Sequence, residues 1–168
     1  ALNDDILSAK SNNFLCAVHF GRNKLGVSFL DISTGEYLTS EGSTEQVDKL
    51  LQNFSPNEVL VSKSHRKDFV ECFGNQFHSF FLEDWIFQED YAQESLNHHF
   101  GTKTLKGFGI EHLTHGIIAS GAVLHYLSET QHSRLEHINK IQRIAEEEYV
   151  WMDRFTIRNL ELYHSSHQ

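Results

Sequence analysis

Two three-residue turns set among strand-length segments constrain this fold more than any other feature of the chain. Asn13 to Phe20 is apolar and reads as a strand, and Gly21 to Asn23 turns it back. Lys24 to Ile32 follows, with Leu25, Val27 and Phe29 alternating onto one face. Ser33-Thr34-Gly35 makes a second tight turn, and Glu36 to Glu41 reads as a third strand. A parallel return needs a crossover of a dozen or more residues, so loops this short dictate an antiparallel meander.

The hydrophobic period then changes. Ser43 and Gln46 form a capping box, and Val47, Leu50, Leu51 and Phe54 recur at the i, i+3, i+4, i+7 spacing of an amphipathic helix. Pro56 stops that helix. Glu58 to Ser62 reads as a short buried strand, Ser64 to Phe73 as a helix with Phe69 and Phe73 inward, and Gln76 to Leu82 as a Phe-rich strand. A further helix is predicted from Gln88 to Phe100, stopped by Gly101. Thr102 to Glu111 reads as a loop, and Leu113 to Gln131 as a long helix. Its middle, Ala119-Ser120-Gly121-Ala122, permits close approach to a neighbour, so this helix is expected at the centre. Ile138 to Ile144 and Tyr149 to Met152 read as strands, separated by a charged turn at Ala145 to Glu148. Asp153 then caps a helix of Arg154 to Leu162, which is too short to persist alone in water. The chain opens on Ala1 and its only methionine is Met152, so a piece of something longer is expected. A meander followed by alternating helices and strands predicts an α/β fold, a mixed sheet with helices on its faces.

No stretch approaches the ~20 apolar residues of a membrane span, and the polar opening residues lack a signal-peptide core. The net charge of -9 repels phosphate, and no Lys/Arg cluster offsets it, so direct grip on nucleic acid is not expected. Cys16 and Cys72 lack CxxC spacing and read as two buried free thiols in a reducing, cytoplasmic setting.

Motifs for nucleotide binding or hydrolysis are missing: there is no GxxxxGK[ST], no GxGxxG and no GxSxG. Among the twelve histidines, His98-His99 are adjacent, and His112 with His115 and His164 with His167 stand at an i, i+3 spacing that can share a metal. A zinc site needs three or four ligands and a supporting shell, so solvated or packed histidines are the simpler expectation, and a metal-binding domain the weaker one. The opening meander resembles the ribonuclease H-like fold, whose nucleases hold two metal ions with carboxylates, the first usually on the opening strand. Here that strand, Phe14 to Phe20, carries no acid, and Asp31 is expected to serve the turn beside it. An active metal-dependent nuclease of that type is the alternative function. Asp90, Gln93, Glu94 and Asn97 fall on the side of their helix away from Tyr91, Leu96 and Phe100. That face is either simply solvated or a polar docking surface. Glu129 and Gln131, at the end of the long helix, pose the same choice.

Three blocks, in order and across nearly the whole chain, resemble the MutS family of DNA mismatch recognition proteins. They are Gly26 to Glu36, then His99-Phe100-Gly101-Thr102 with Leu105 to Gly109, then Asp153 with Arg158-Asn159-Leu160-Glu161. The resemblance implies a linker over residues 1–12, a ribonuclease H-like connector domain over 13–133, and the start of the helical core, or lever, domain over 134–168. It implies a connector without nuclease chemistry, coupling mismatch-binding and ATPase states and offering a docking surface to MutL. The polar helix faces read above place that docking surface at Asp90, Gln93, Glu94, Asn97, Glu129 and Gln131. No cofactor is implied for this stretch; ATP and magnesium belong to other domains of the family, which acts as a dimer on mismatched DNA. Phe69-Val70-Glu71 and Phe81-Leu82-Glu83 have the bare Phe-x-Glu spacing of the family's mismatch wedge. They fall in the wrong domain, so no such role is carried over.

Overall fold

The computed structural model describes residues 13–131 and 134–145. Among them the elements run β1 (Phe14–Phe20), β2 (Leu25–Asp31), β3 (Tyr37–Gly42), α1 (Thr44–Phe54), β4 (Glu58–Ser62), α2 (Arg66–Phe73), β5 (Ser79–Leu82), α3 (Glu89–Phe100), α4 (Thr114–Thr130) and β6 (Gln142–Arg143). Short 3-10 turns precede α2, α3 and α4.

The strands form one six-stranded sheet in the order β5-β4-β1-β2-β3-β6. The expected meander is present: β1 pairs antiparallel with β2, and β2 with β3. The remaining pairings, β1 with β4, β4 with β5 and β3 with β6, are parallel. The fold is therefore the expected α/β, ribonuclease H-like mixed sheet, antiparallel first and parallel afterwards.

Alternation along the strands sorts side chains onto two buried faces. Cys16, Val18, Val27, Phe29, Val59 and Val61 face α1 and α2, meeting Val47, Leu50, Leu51, Phe69 and Phe73. Ala17, Leu30, Tyr37 and Leu60 face α3 and α4, meeting Ala92, Leu96, Ile117 and Ala122. Every residue of β2 is buried, as a central strand covered on both sides requires. The capping box forms as expected: Gln46 N–H donates to Ser43 Oγ at 3.2 Å, and Ser43 N–H to Gln46 Oε1 at 2.9 Å.

Helix α4 is the pivot, in line with its run of small residues. A side chain at Gly26 would collide with the His115 carbonyl and stand 2.6 Å from Gly116 N. One at Gly116 would stand 2.5 Å from Thr39 Oγ1. These two glycines let the first turn of α4 lie almost directly on β2 and β3. Farther along, a Cβ at Gly121 would stand 2.5 Å from Ala92 Cβ, so α3 presses against α4 there. Tyr37 closes this layer by donating its buried hydroxyl to the Ser120 carbonyl, and burial pushes that phenol's pKa upward.

Three sequence expectations shift. The Phe-rich strand begins at Ser79 rather than Gln76, because Gln76 turns back to donate Nε2–H to the Phe73 carbonyl. The strand expected over Ile138 to Ile144 reduces to Gln142–Arg143, with Ile138, Ile141 and Ile144 buried at three-residue spacing around it. Cys72 is exposed rather than buried, since α2 turns Phe69 and Phe73 inward and leaves position 72 outside; Cys16 is buried. The Tyr149 to Met152 strand, the Arg154 to Leu162 helix and the linker over 1–12 lie outside the described residues.

Candidate functional site

Nuclease chemistry of the two-metal kind needs converging carboxylates. Asp31 is buried at the end of β2, where its Oδ1 accepts the Ser33 N–H and the Ser33 hydroxyl, both at 2.9 Å. That is the turn-holding role expected of it. Its Oδ2 is buried with no hydrogen-bond partner. Among the described residues, no group of three or more His, Cys, Asp or Glu side chains is placed to hold a metal ion.

The histidines instead pack against each other and against aromatic rings. His19 stacks on His115 at 5.5 Å between centroids and on Phe87 at 6.1 Å, with His65 edge-on at 6.4 Å. His65 Nδ1 lies 2.8 Å from Ser62 Oγ. His19 Nδ1 and His115 Nδ1 are buried without a hydrogen-bond partner. Of the pairs weighed from sequence, His112 is exposed while His115 joins this cluster, and His98 is exposed while His99 donates Nε2–H to the Ile138 carbonyl at 2.7 Å. His164 and His167 lie outside the described residues.

Burial, followed by the neighbouring His115 and His65, lowers the His19 pKa from 6.5 to about 4. The folded chain therefore holds this imidazole neutral at pH 7. The unfolded chain protonates it near its ordinary value of ~6.5. The depressed folded value means that stability is full above about 6.5 and is lost as pH falls toward about 4. Urea midpoints should drop between pH 7.5 and pH 5 by the equivalent of roughly 1–2 kcal/mol from this residue. His19→Gln should flatten that part of the profile. A wild-type chain more stable at pH 5 than at pH 7.5 would contradict the assignment.

The predicted docking residues sit on the outer side of the α3–α4 layer. Asp90 and Glu94 are exposed, and Gln93 and Asn97 are partly buried. Gln93 donates to Glu89 at 3.4 Å along its own helix. Asn97 is engaged at the helix end: its Oδ1 accepts the Thr102 hydroxyl at 2.8 Å and its carbonyl the Thr102 N–H at 3.0 Å. Glu129 and Gln131 are exposed at the end of α4. The start of α3, with Asp90, Gln93 and Glu94, comes to the same end of the helix pair as Glu129 and Gln131, because Ala92 meets Gly121 and the Tyr91 hydroxyl lies 2.6 Å from His125 Nδ1; Asn97 lies toward the other end of α3.

Sequence reasoning missed the centre of this face. Trp85 stands in the 3-10 turn before α3 and is 54% exposed. Its ring meets Tyr91 at 5.2 Å and His125 at 5.3 Å, both edge-on. An isolated Trp beside acidic residues is a detectable signal, but only the fold joins it to a histidine forty positions away.

The chain matches the family model described as MutS domain II over residues 13–139. It is 70% identical over 166 residues to a DNA mismatch repair protein MutS from Christiangramia forsetii, covering 99% of this chain and 19% of that protein. The corresponding protein of Flavobacterium psychrophilum is 65% identical, over 98% of this chain and 19% of the relative. That of Cytophaga hutchinsonii is 54% identical, over 96% and 19%. The chain thus spans about a fifth, 19%, of the length of these curated relatives. Among solved structures, the K428A mutant nuclease domain of the large terminase subunit gp2 of bacterial virus Sf6, with manganese and beta-thujaplicinol, aligns at a TM-score of 0.36. It is 13% identical and covers 82% of this chain and 67% of that one.

Proposed function

The chain belongs to the MutS family, as its domain II, and from that premise we propose that it is a non-catalytic connector that couples mismatch-binding and ATPase states and offers MutL a docking surface. One observation carries this reading. The acidic outer face around Asp90 and Glu94 stands clear of the sheet, yet the close contact of Ala92 with Gly121 fixes it to the central helix. A surface held this rigidly moves only with its whole domain. A shift of the ATPase would then bare or hide it as a unit, which is a population shift between two states of accessibility.

In this reading the other domains of the same chain supply ATP and magnesium chemistry and mismatch contact, the assembly is a dimer on mismatched DNA, and the setting is cytoplasmic. The connector itself contributes little DNA binding, in keeping with a net charge of -9. Among the described residues, no helix is long and apolar enough to cross a membrane.

The test is charge reversal in the complete MutS polypeptide. Asp90→Lys with Glu94→Lys, and separately Glu129→Lys, should weaken capture of purified MutL about tenfold while leaving the thermal midpoint within ~2 °C. Rim charges act mainly on the association rate, so the loss should appear there and shrink as salt is raised. Capture at wild-type strength by both variants would remove the docking assignment.

A further inference from the structure

We propose that Trp85 is the anchor of an aromatic–acidic docking site whose partner presents arginine or lysine side chains from a protein surface. The inference rests on the docking role proposed above and adds which side chain carries the contact and what chemistry it receives.

Among the described residues only Val70, at 38%, and Trp85, at 54%, are exposed large hydrophobics. Trp85 differs from a loose surface residue in being braced. Asp84, immediately before it, accepts the Ser64 N–H at 3.0 Å and pins the turn to the 3-10 turn that precedes α2. Tyr91 and His125 hold the indole edge-on from α3 and α4, and their own 2.6 Å contact locks that pair. Three elements thus fix one half-exposed ring, so little side-chain entropy remains to be lost on contact. Rigid, half-buried Trp is the residue type most enriched at the energetic centres of protein interfaces.

Charge states the occupant. Asp90 precedes Tyr91, Glu94 lies one turn beyond it, and Glu129 lies one turn beyond His125. All three carboxylates are exposed, and none belongs to the ion pairs Lys24–Glu41, Lys63–Glu83 and Arg134–Glu136 found among the described residues. Lys63, the cation that reaches the segment just before Trp85, is bonded to Glu83. An exposed indole beside helices that also carry these exposed carboxylates repels nucleic acid and lipid phosphate. It favours a guanidinium or ammonium that can lie on the indole and bond the acids together.

The experiment uses the complete MutS polypeptide and purified MutL on a biosensor. Trp85→Ala should weaken binding at least ~30-fold, and Trp85→Phe by less than ~5-fold. Asp90→Lys with Glu94→Lys should weaken it separately, and wild-type affinity should fall as salt rises. Near-ultraviolet circular dichroism and thermal midpoints report that each variant is folded. Charge reversal that weakens binding while folded Trp85→Ala binds within ~3-fold of wild type would overturn the anchor and leave the docking role standing. A large effect of Trp85→Ala with no effect of charge reversal or salt would overturn the cationic partner. Loss in neither variant would remove the docking role and this inference together.

Discussion

Gly26→Ala is expected to cost on the order of 4 kcal/mol, enough to bring a domain of ordinary stability, ~5–15 kcal/mol, close to unfolding. Gly26 lies on β2 opposite His19, under the first turn of α4. A methyl group there meets the His115 carbonyl and Gly116 N, which are backbone atoms of a helix rather than the end of a mobile side chain. The helix cannot ride outward freely, because Gly116 is seated just as closely on Thr39 and Ser40, and Ile117, Ala119 and Val123 are buried behind it. Overpacking of that kind usually costs ~1–3 kcal/mol, and backbone collision raises it. The thermal midpoint should fall by roughly 15 °C. Gly107→Ala is the control: nothing lies within 4 Å of a Cβ there, so its change should stay within ~0.5 kcal/mol. A Gly26→Ala midpoint within ~3 °C of wild type would mean that the helix-to-sheet contact is slack.

Gly121→Leu should have the next largest effect, about 3 kcal/mol, and a different character. The new side chain meets Ala92 in α3, not the sheet, so the sheet and the α1–α2 layer should survive while α3 is wedged away. Because α3 carries Asp90, Tyr91 and Glu94, the variant should also lose partner capture far beyond what its lowered stability explains. Measuring capture well below the melting point separates the two effects. Hydrogen exchange should rise across residues 89–100 and stay low across β1 and β2. Equal loss of protection in both regions would show that the layers unfold as one unit.

Local physics made most of this fold legible in the sequence. Short turns specify antiparallel pairing, and the switch from alternation to the Val47, Leu50, Leu51 stripe marks the first helix within a residue. The missing acid on β1 was readable directly, as was the role of Asp31 beside Ser33. What escaped was long-range. Trp85, Tyr91 and His125 belong to three separate elements, and His19, His65 and His115 meet from three distant parts of the chain. No spacing rule links such residues, because the close approach at Gly26, Gly116 and Gly121 is what brings them together. Asn97 illustrates the converse: it looked like part of a free polar face, but its amide oxygen serves the helix end through Thr102. The Ile138 to Ile144 segment misled because a repeat of three isoleucines at i, i+3, i+6 buries well against a sheet edge without extended pairing.

That edge has a mechanical corollary. β6 joins β3 through only Gln142 and Arg143, supplemented by Ile144 N–H to the Thr39 carbonyl at 3.0 Å, whereas the five other strands interlock over longer registers. Tension arriving through this segment would load a clasp of a few bonds before it reached the body of the sheet. That short ladder shares the load with the buried Ile138, Ile141 and Ile144, so this edge, rather than the central strands, is where such a pull is first resisted.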